Sequence, residues 1–190
     1  MILVSKIINS VLDENCYIVH NKNRQAIVID PGSDFDKIKD FINKNKLDVQ
    51  AVLLTHGHFD HTYSCRNLQN FGYKIYVHHF DKNMCIDKKS SLAWMCGLDY
   101  LTFEPDVLLF NDNELKIGDF NVKVINAPGH SRGGVAYIIE NNLFSGDTLF
   151  FNGYGRTDFD GGDEKQILSS VKTLMTYVKG GYKLYPGHDY

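Results

Sequence analysis

Apolar side chains along this chain recur at two spacings. Alternation, or a short unbroken apolar run, predicts strands over residues 3–8, 16–19 and 26–29. Ile38, Phe41 and Ile42 then recur at helical spacing and predict a helix over 36–45, with Asp34 placed to cap it. A strand at 49–54 follows, then a helix over 60–69 and a strand at 74–77. Residues 79–105, with the run Ser90-Ser91-Leu92-Ala93-Trp94-Met95, carry no clear period and fit either two short helices or a partly ordered flap. Strands return at 107–110, 114–117, 121–126, 135–139 and 142–145, before a helix near 163–178 and a last strand at 183–185. Two successive blocks of strands followed by helix predict an α/β fold of two sheets packed face to face with helices outside, a four-layer α/β/β/α sandwich.

Composition narrows this to one domain spanning 1–190, because 43% hydrophobic residues in a chain of that length suffice for one sizeable core. A formal charge of −3 leaves no basic stripe, so no nucleic-acid partner is expected. The apolar start, Met1-Ile2-Leu3-Val4, lacks a basic leader and a small-residue cleavage site and reads as a first strand. No apolar run is long enough to span a membrane, and no membrane partner is expected. Cys16, Cys65, Cys85 and Cys96 lack CxxC spacing, which fits free thiols in a reducing cytoplasm.

The chemistry is concentrated in short segments after apolar strands. Thr55-His56-Gly57-His58-Phe59-Asp60-His61 supplies four nitrogen or oxygen donors that cannot all point one way, so they face two neighbouring sites. His130, Asp147 and His188 follow similar strands and complete a set of seven donors, enough for two ions. Imidazole and carboxylate without thiolate suit zinc, iron or manganese. His20 ends a strand beside the turn-like Asn21-Lys22-Asn23, and His78-His79 have no carboxylate at ligand spacing, so all three are read as non-ligands.

These segments, THGHFDH with PGHS at His130, SGDT at Asp147 and YPGH at His188, resemble the metal motifs of the metallo-β-lactamase-fold superfamily, in the branch containing hydroxyacylglutathione hydrolase (glyoxalase II). Asn15-Cys16-Tyr17 and Ile29-Asp30-Pro31-Gly32 resemble the opening hairpin of that fold, so the likeness covers nearly the whole chain. It implies the same four-layer sandwich. It also implies that His56, His58 and His130 hold one metal, that Asp60, His61 and His188 hold the other, and that Asp147 bridges them. Two divalent ions, zinc first and iron or manganese next, would trap a water between them, lower its pKa and stabilise charge on an attacked carbonyl. Asp60 is then the candidate proton carrier.

Around the metals, Asp30 is placed either to orient a metal-bound imidazole or to close a turn. Thr55 and Ser131 flank ligands and offer supporting hydroxyls. The GYGRT stretch resembles both the glyoxalase II-like proteins and the iron-dependent persulfide dioxygenases. Within it Arg156 is placed to bind a substrate carboxylate or to brace the loop through Asp158, Asp160 or Asp189; Tyr154 and Arg132 are the other candidate substrate contacts. Glyoxalase II continues beyond its last metal histidine into a helical domain, whereas this sequence stops at Asp189-Tyr190. The reading expected first is a dinuclear hydrolase of small acyl thioesters, with a small-molecule acyl partner and a homodimer left open. The alternatives are a mononuclear iron persulfide dioxygenase and a metal-binding protein without turnover.

Overall fold

Successive strand side chains point to opposite faces, and here both faces are apolar, so each sheet must be covered twice. In the computed structural model, which describes residues 1–97, 99–110 and 113–190, this cover is supplied by a partner sheet on one face and helices on the other. The first sheet runs in the order β1 (Ile2–Ile8), β2 (Asn15–Asn21), β3 (Gln25–Ile29), β4 (Asp48–Leu53), β5 (Ile75–His78) and β6 (Val107–Leu109). Its first three strands pair antiparallel and the rest parallel. The second holds β7 (Asn113–Ile117), β8 (Phe120–Asn126), β9 (Val135–Ile139), β10 (Asn142–Gly146) and β11 (Lys183–Pro186), in the order β11-β10-β9-β8-β7. Only β10 and β11 in that sheet run parallel among the described residues.

The cores follow this alternation. Tyr17, Val19, Ile27 and Ile29 of the first sheet meet Val122, Val124, Tyr137 and Phe144 of the second. Their chain neighbours Ile18 and Val28, with Val52 of β4, face outward onto Ile38 and Ile42 of α1 (Phe35–Lys44). Ile125, Ile138 and Leu143 face outward from the second sheet onto Leu174 of α5 (Glu164–Lys179). The four-layer α/β/β/α sandwich is therefore present. Among the described residues no helix is long and apolar enough to cross a membrane.

Three local expectations are refined. The helix expected over 60–69 is two helices, α2 (Phe59–Thr62) and α3 (Cys65–Asn70). The break falls where Ser64 is drawn to the Pro31-Gly32 turn: its N–H donates to the Pro31 carbonyl at 3.0 Å and its hydroxyl to the Gly32 carbonyl. Asp34 occupies the cap position of α1 without capping through its side chain, because that carboxylate instead accepts from the Ser10 N–H (3.2 Å) and hydroxyl (2.8 Å) and pairs with Lys37. Within 79–105 the chain forms 3₁₀ turns at His79–Asp81 and Ala93–Cys96 around α4 (Lys82–Ile86), anchored by fully buried Tyr100 and Phe103. Leu98 of that stretch and the Cys96 side chain lie outside the described residues. Cys16, Cys65 and Cys85 are free and buried.

Candidate metal centre

The seven donors gather because the strands that precede them end along one edge of the sandwich. His56 and His58 lie in the loop after β4, Asp60 and His61 on α2, His130 in the loop after β8, Asp147 directly after β10 and His188 just after β11. The parallel β10–β11 pairing sets Gly146 beside Pro186, and the Gly187 N–H donates to the Gly146 carbonyl at 2.9 Å, so Asp147 and His188 emerge side by side. A side chain at Gly187 would collide with the Asp147 carboxylate and the His61 ring. The two sheets are clasped here as well: the Val135 N–H donates to the Thr55 carbonyl (2.8 Å) and the Tyr137 hydroxyl to that of Leu54 (2.7 Å).

One donor atom from each of His56, His58 and His130 falls within 4.8 Å of the others, as does one from each of Asp60, His61 and His188. Asp147 stands between the two triads. Its oxygens lie 3.2 Å from His61 Nε2, 3.5 Å from His130 Nε2 and 3.6 Å from His188 Nε2. His20, His78 and His79 belong to no such group among the described residues.

Outward partners fix which imidazole nitrogen faces inward. His61 Nδ1 donates to Asp30 Oδ2 (3.1 Å), His130 Nδ1 to the Arg156 carbonyl (2.7 Å) and His188 Nδ1 to the Leu12 carbonyl (3.0 Å). The Thr55 hydroxyl donates to Asp30 (2.6 Å), which leaves it to accept from His56 Nδ1 (3.1 Å). In each case Nε2 is the nitrogen turned towards the centre. His58 is reversed, with Nδ1 inward, 2.9 Å from His130 Nε2. Buried Nε2 of His56 and His61 and Oδ1 of Asp147 have no hydrogen-bond partner among the described residues. Orphaned buried donors of nitrogen and oxygen type, converging without thiolate, fit divalent metal ions.

The electrostatics agree. Burial pushes His56 well below the usual imidazole range, helped by His61, His58 and His130, and pushes His58 down to about 3, helped by His130. Burial would likewise lower His61, yet the Asp147 and Asp60 carboxylates prevail and hold its proton. Burial would raise Asp147, but His61 and His130 keep it ionised well below the usual range. A proton on His61 thus balances two buried carboxylates, and a metal cation entering here must displace it.

Asp30, Thr55 and Ser131 lie beside the donors, and two further carboxylates join them. Asp30 accepts from the Thr55 N–H (2.7 Å) as well as from Thr55 Oγ1 and His61, and it does so from a left-handed backbone with φ of 50°. That conformation costs a non-glycine residue roughly 1–2 kcal/mol, strain of the kind held at working sites. Ser131 donates to Asp81 Oδ2 (2.7 Å). Asp81 was not anticipated: it also accepts from the Gly57 N–H (3.1 Å) and the Gly133 N–H (2.7 Å), tying the loop of His56 and His58 to that of His130. Glu14 was also missed. Fully buried, it accepts from Asn9 Nδ2 at 2.6 Å and lies 3.7 Å from His61 Nδ1, and burial raises its pKa despite that histidine. Its position before Asn15-Cys16, at the mouth of the expected hairpin, was the available signal.

A cleft of about 460 Å³ opens onto the donors and is lined by Tyr154 and Arg156, among others. The Arg156 guanidinium pairs with Asp158 (2.6 and 2.5 Å) and lies 4.1 Å from the centre of the Phe159 ring, so it braces the loop. Exposed Arg132 lines a neighbouring cleft with Phe80, Asp160 and Gln166 instead.

Residues 10–188 match the model of the metallo-beta-lactamase superfamily. The chain is 34% identical over 181 residues to a probable metallo-hydrolase of Bacillus subtilis, covering 93% of this chain and 85% of that protein. It is 31% identical over 180 residues to a hydroxyacylglutathione hydrolase of Haemophilus influenzae, covering 92% and 85%. Among solved structures, the B3 metallo-beta-lactamase BLEG-1 superposes with a TM-score of 0.91 at 30% identity, over 99% of this chain and 92% of that one.

Proposed function

This chain belongs to the metallo-beta-lactamase superfamily of metallo-hydrolases, and on that premise we propose that it is a dinuclear metal-dependent hydrolase of small acyl thioesters. The observation that carries the reading is the pair of buried donor triads flanking Asp147, of which His58, Asp60, His130, Asp147 and His188 line one cleft. His56, His58 and His130 would hold one ion, Asp60, His61 and His188 the second, and Asp147 both. Two such ions would supply a water of lowered pKa and Lewis acidity for a carbonyl oxygen. The protein's own part is orientation. Asp30, Thr55 and the carbonyls of Leu12 and Arg156 fix the imidazoles, so the donors need not reorganise as charge develops. Asp60 touches both His188 (3.4 Å) and His61 (3.6 Å) through one oxygen, which leaves the other free to take up and deliver a proton. The relationship to a hydroxyacylglutathione hydrolase supports the thioester as the bond cleaved.

Elemental analysis of protein purified without added metal, followed by turnover on S-lactoylglutathione and on acetyl thioesters, tests the reading. Two equivalents of zinc, iron or manganese and thioester cleavage are expected. One iron with oxygen uptake on a glutathione persulfide would replace it with the dioxygenase reading. Metal without turnover on any ester, thioester or lactam would replace it with a binding role.

A further inference from the structure

The walls of the cleft are unlike its floor. The floor is the donor set, while the walls carry Leu12, Leu92, Met95, Phe150, Tyr154 and Tyr190. This apolar surface begins at the donors themselves: the Tyr190 ring stacks on that of His188 with centroids 5.1 Å apart and planes 5° from parallel, and meets Phe150 edge-on at 5.4 Å. On the opposite side the Phe159 ring lies 5.7 Å from that of His58. Leu12, Met95, Tyr154 and Tyr190 nevertheless remain 42% to 63% exposed, so they present apolar area that a ligand in the cleft would cover.

Charge is distributed just as unevenly. Arg156 is the only lysine or arginine among the described lining residues, and both faces of its chemistry are engaged, by Asp158 and by the Phe159 ring. A ligand carboxylate lying along these walls would find no uncommitted side-chain cation there among the described residues. Burying such a charge unpaired is costly.

Resting on the hydrolase reading above, we infer that the substrate is a thioester with an uncharged, apolar acyl chain, and that this chain lies along the Leu12, Met95, Phe150, Tyr154 and Tyr190 wall. The acyl side is assigned because the carbonyl carbon must sit over the donors, where the walls already close in. The acyl carbons follow directly from that carbon and meet the wall as it leaves the His188–Tyr190 stack. The distinguishing groups of a carrier such as glutathione lie farther out.

The test uses the metal-loaded protein with two matched series. In the first, kcat/KM is measured for acetyl, butyryl and hexanoyl thioesters of N-acetylcysteamine and for S-lactoylglutathione. Each methylene buried on the wall should raise kcat/KM roughly three- to fourfold, giving on the order of a hundredfold from acetyl to hexanoyl. The second series measures binding of the uncleavable S-ethyl, S-butyl and S-hexyl thioethers of N-acetylcysteamine and of S-hexylglutathione by calorimetry. Affinity should rise in parallel with chain length, with no gain from the glutathione carrier. Met95→Ala and Tyr154→Ala should flatten both slopes at unchanged metal content. Thioether affinity that rises with length while no thioester is cleaved would uphold the apolar cleft and remove the hydrolase reading. Cleavage with no dependence on chain length, a strong preference for the glutathione carrier, or variants that retain the full slope would each overturn the assignment. So would failure of every thioether to bind.

Discussion

Asp60 is the residue on which turnover and metal retention separate most cleanly. Asparagine preserves its shape and one ligating oxygen but cannot carry a proton, so Asp60→Asn should lower kcat by roughly a hundredfold or more with little change in KM. Metal analysis of the same variant should still give the wild-type content; wild-type turnover in a fully loaded variant would end the proton role. His78 makes a different prediction. It is buried against His79 and Phe80, neither ring nitrogen has a hydrogen-bond partner among the described residues, and burial, then His79, lowers its pKa from 6.5 to about 4. The unfolded chain therefore binds a proton that the fold refuses once the pH drops below the ordinary value, and stability must fall as pH goes from about 6.5 towards about 4. Urea melts of His78→Leu at pH 7.5 and pH 5 should differ less than those of the wild type, and an unchanged difference would show that His78 titrates freely. Residue-level chemistry was legible where partners are close in sequence, as in the THGHFDH segment. Glu14 and Asp81 were missed because the groups that give them meaning, His61 for one and Gly57, Ser131 and Gly133 for the other, come from distant stretches.

Among the elements, α5 shows how a local signal also fixes the centre. Its N-cap Asp163 accepts from the Gln166 N–H at 2.9 Å and from Gln166 Nε2 at 3.2 Å, so both carboxylate oxygens hold the first turn. The Asp163 N–H in turn donates to the Gly129 carbonyl at 2.8 Å, next to His130. Asp163→Ala should lower Tm by about 2–4 °C, and differential scanning calorimetry would detect it; no shift would mean that the cap contributes nothing. Strands and long helices were readable from periodicity because each buries a continuous stripe. The break between α2 and α3 was not, since a tertiary hydrogen bond from Ser64 to the Pro31-Gly32 turn overrides a helical pattern that continues through it. The unused cap at Asp34 has the same origin: Ser10 and Lys37 compete successfully for its carboxylate.

For the molecule as a whole, the four layers could be anticipated because strands apolar on both faces require cover on both. Strand order could not, because β1 to β6 and β7 to β11 sort into sheets through contacts that local periodicity does not encode. The centre draws on both sheets, so metal should act as a cross-brace for the entire sandwich. An ion held at a thousand times its dissociation constant adds about 4 kcal/mol to the folded state. Chelator-treated protein should accordingly melt at distinctly lower temperature in one transition, and recover on metal addition. A chelated form with the holo Tm would show that the fold does not depend on its ions.

The parallel seating of β11 on β10 also orders events in time. His56 leaves the ribosome long before His188, and at the usual pace of synthesis the interval is on the order of ten seconds. Throughout it the Asp60, His61, His188 triad lacks its last member, while the His56, His58, His130 triad is complete in sequence once residue 130 has been added. A growing chain would therefore offer an ion at most one of the two triads, and the second would arise only when β11 seats on β10.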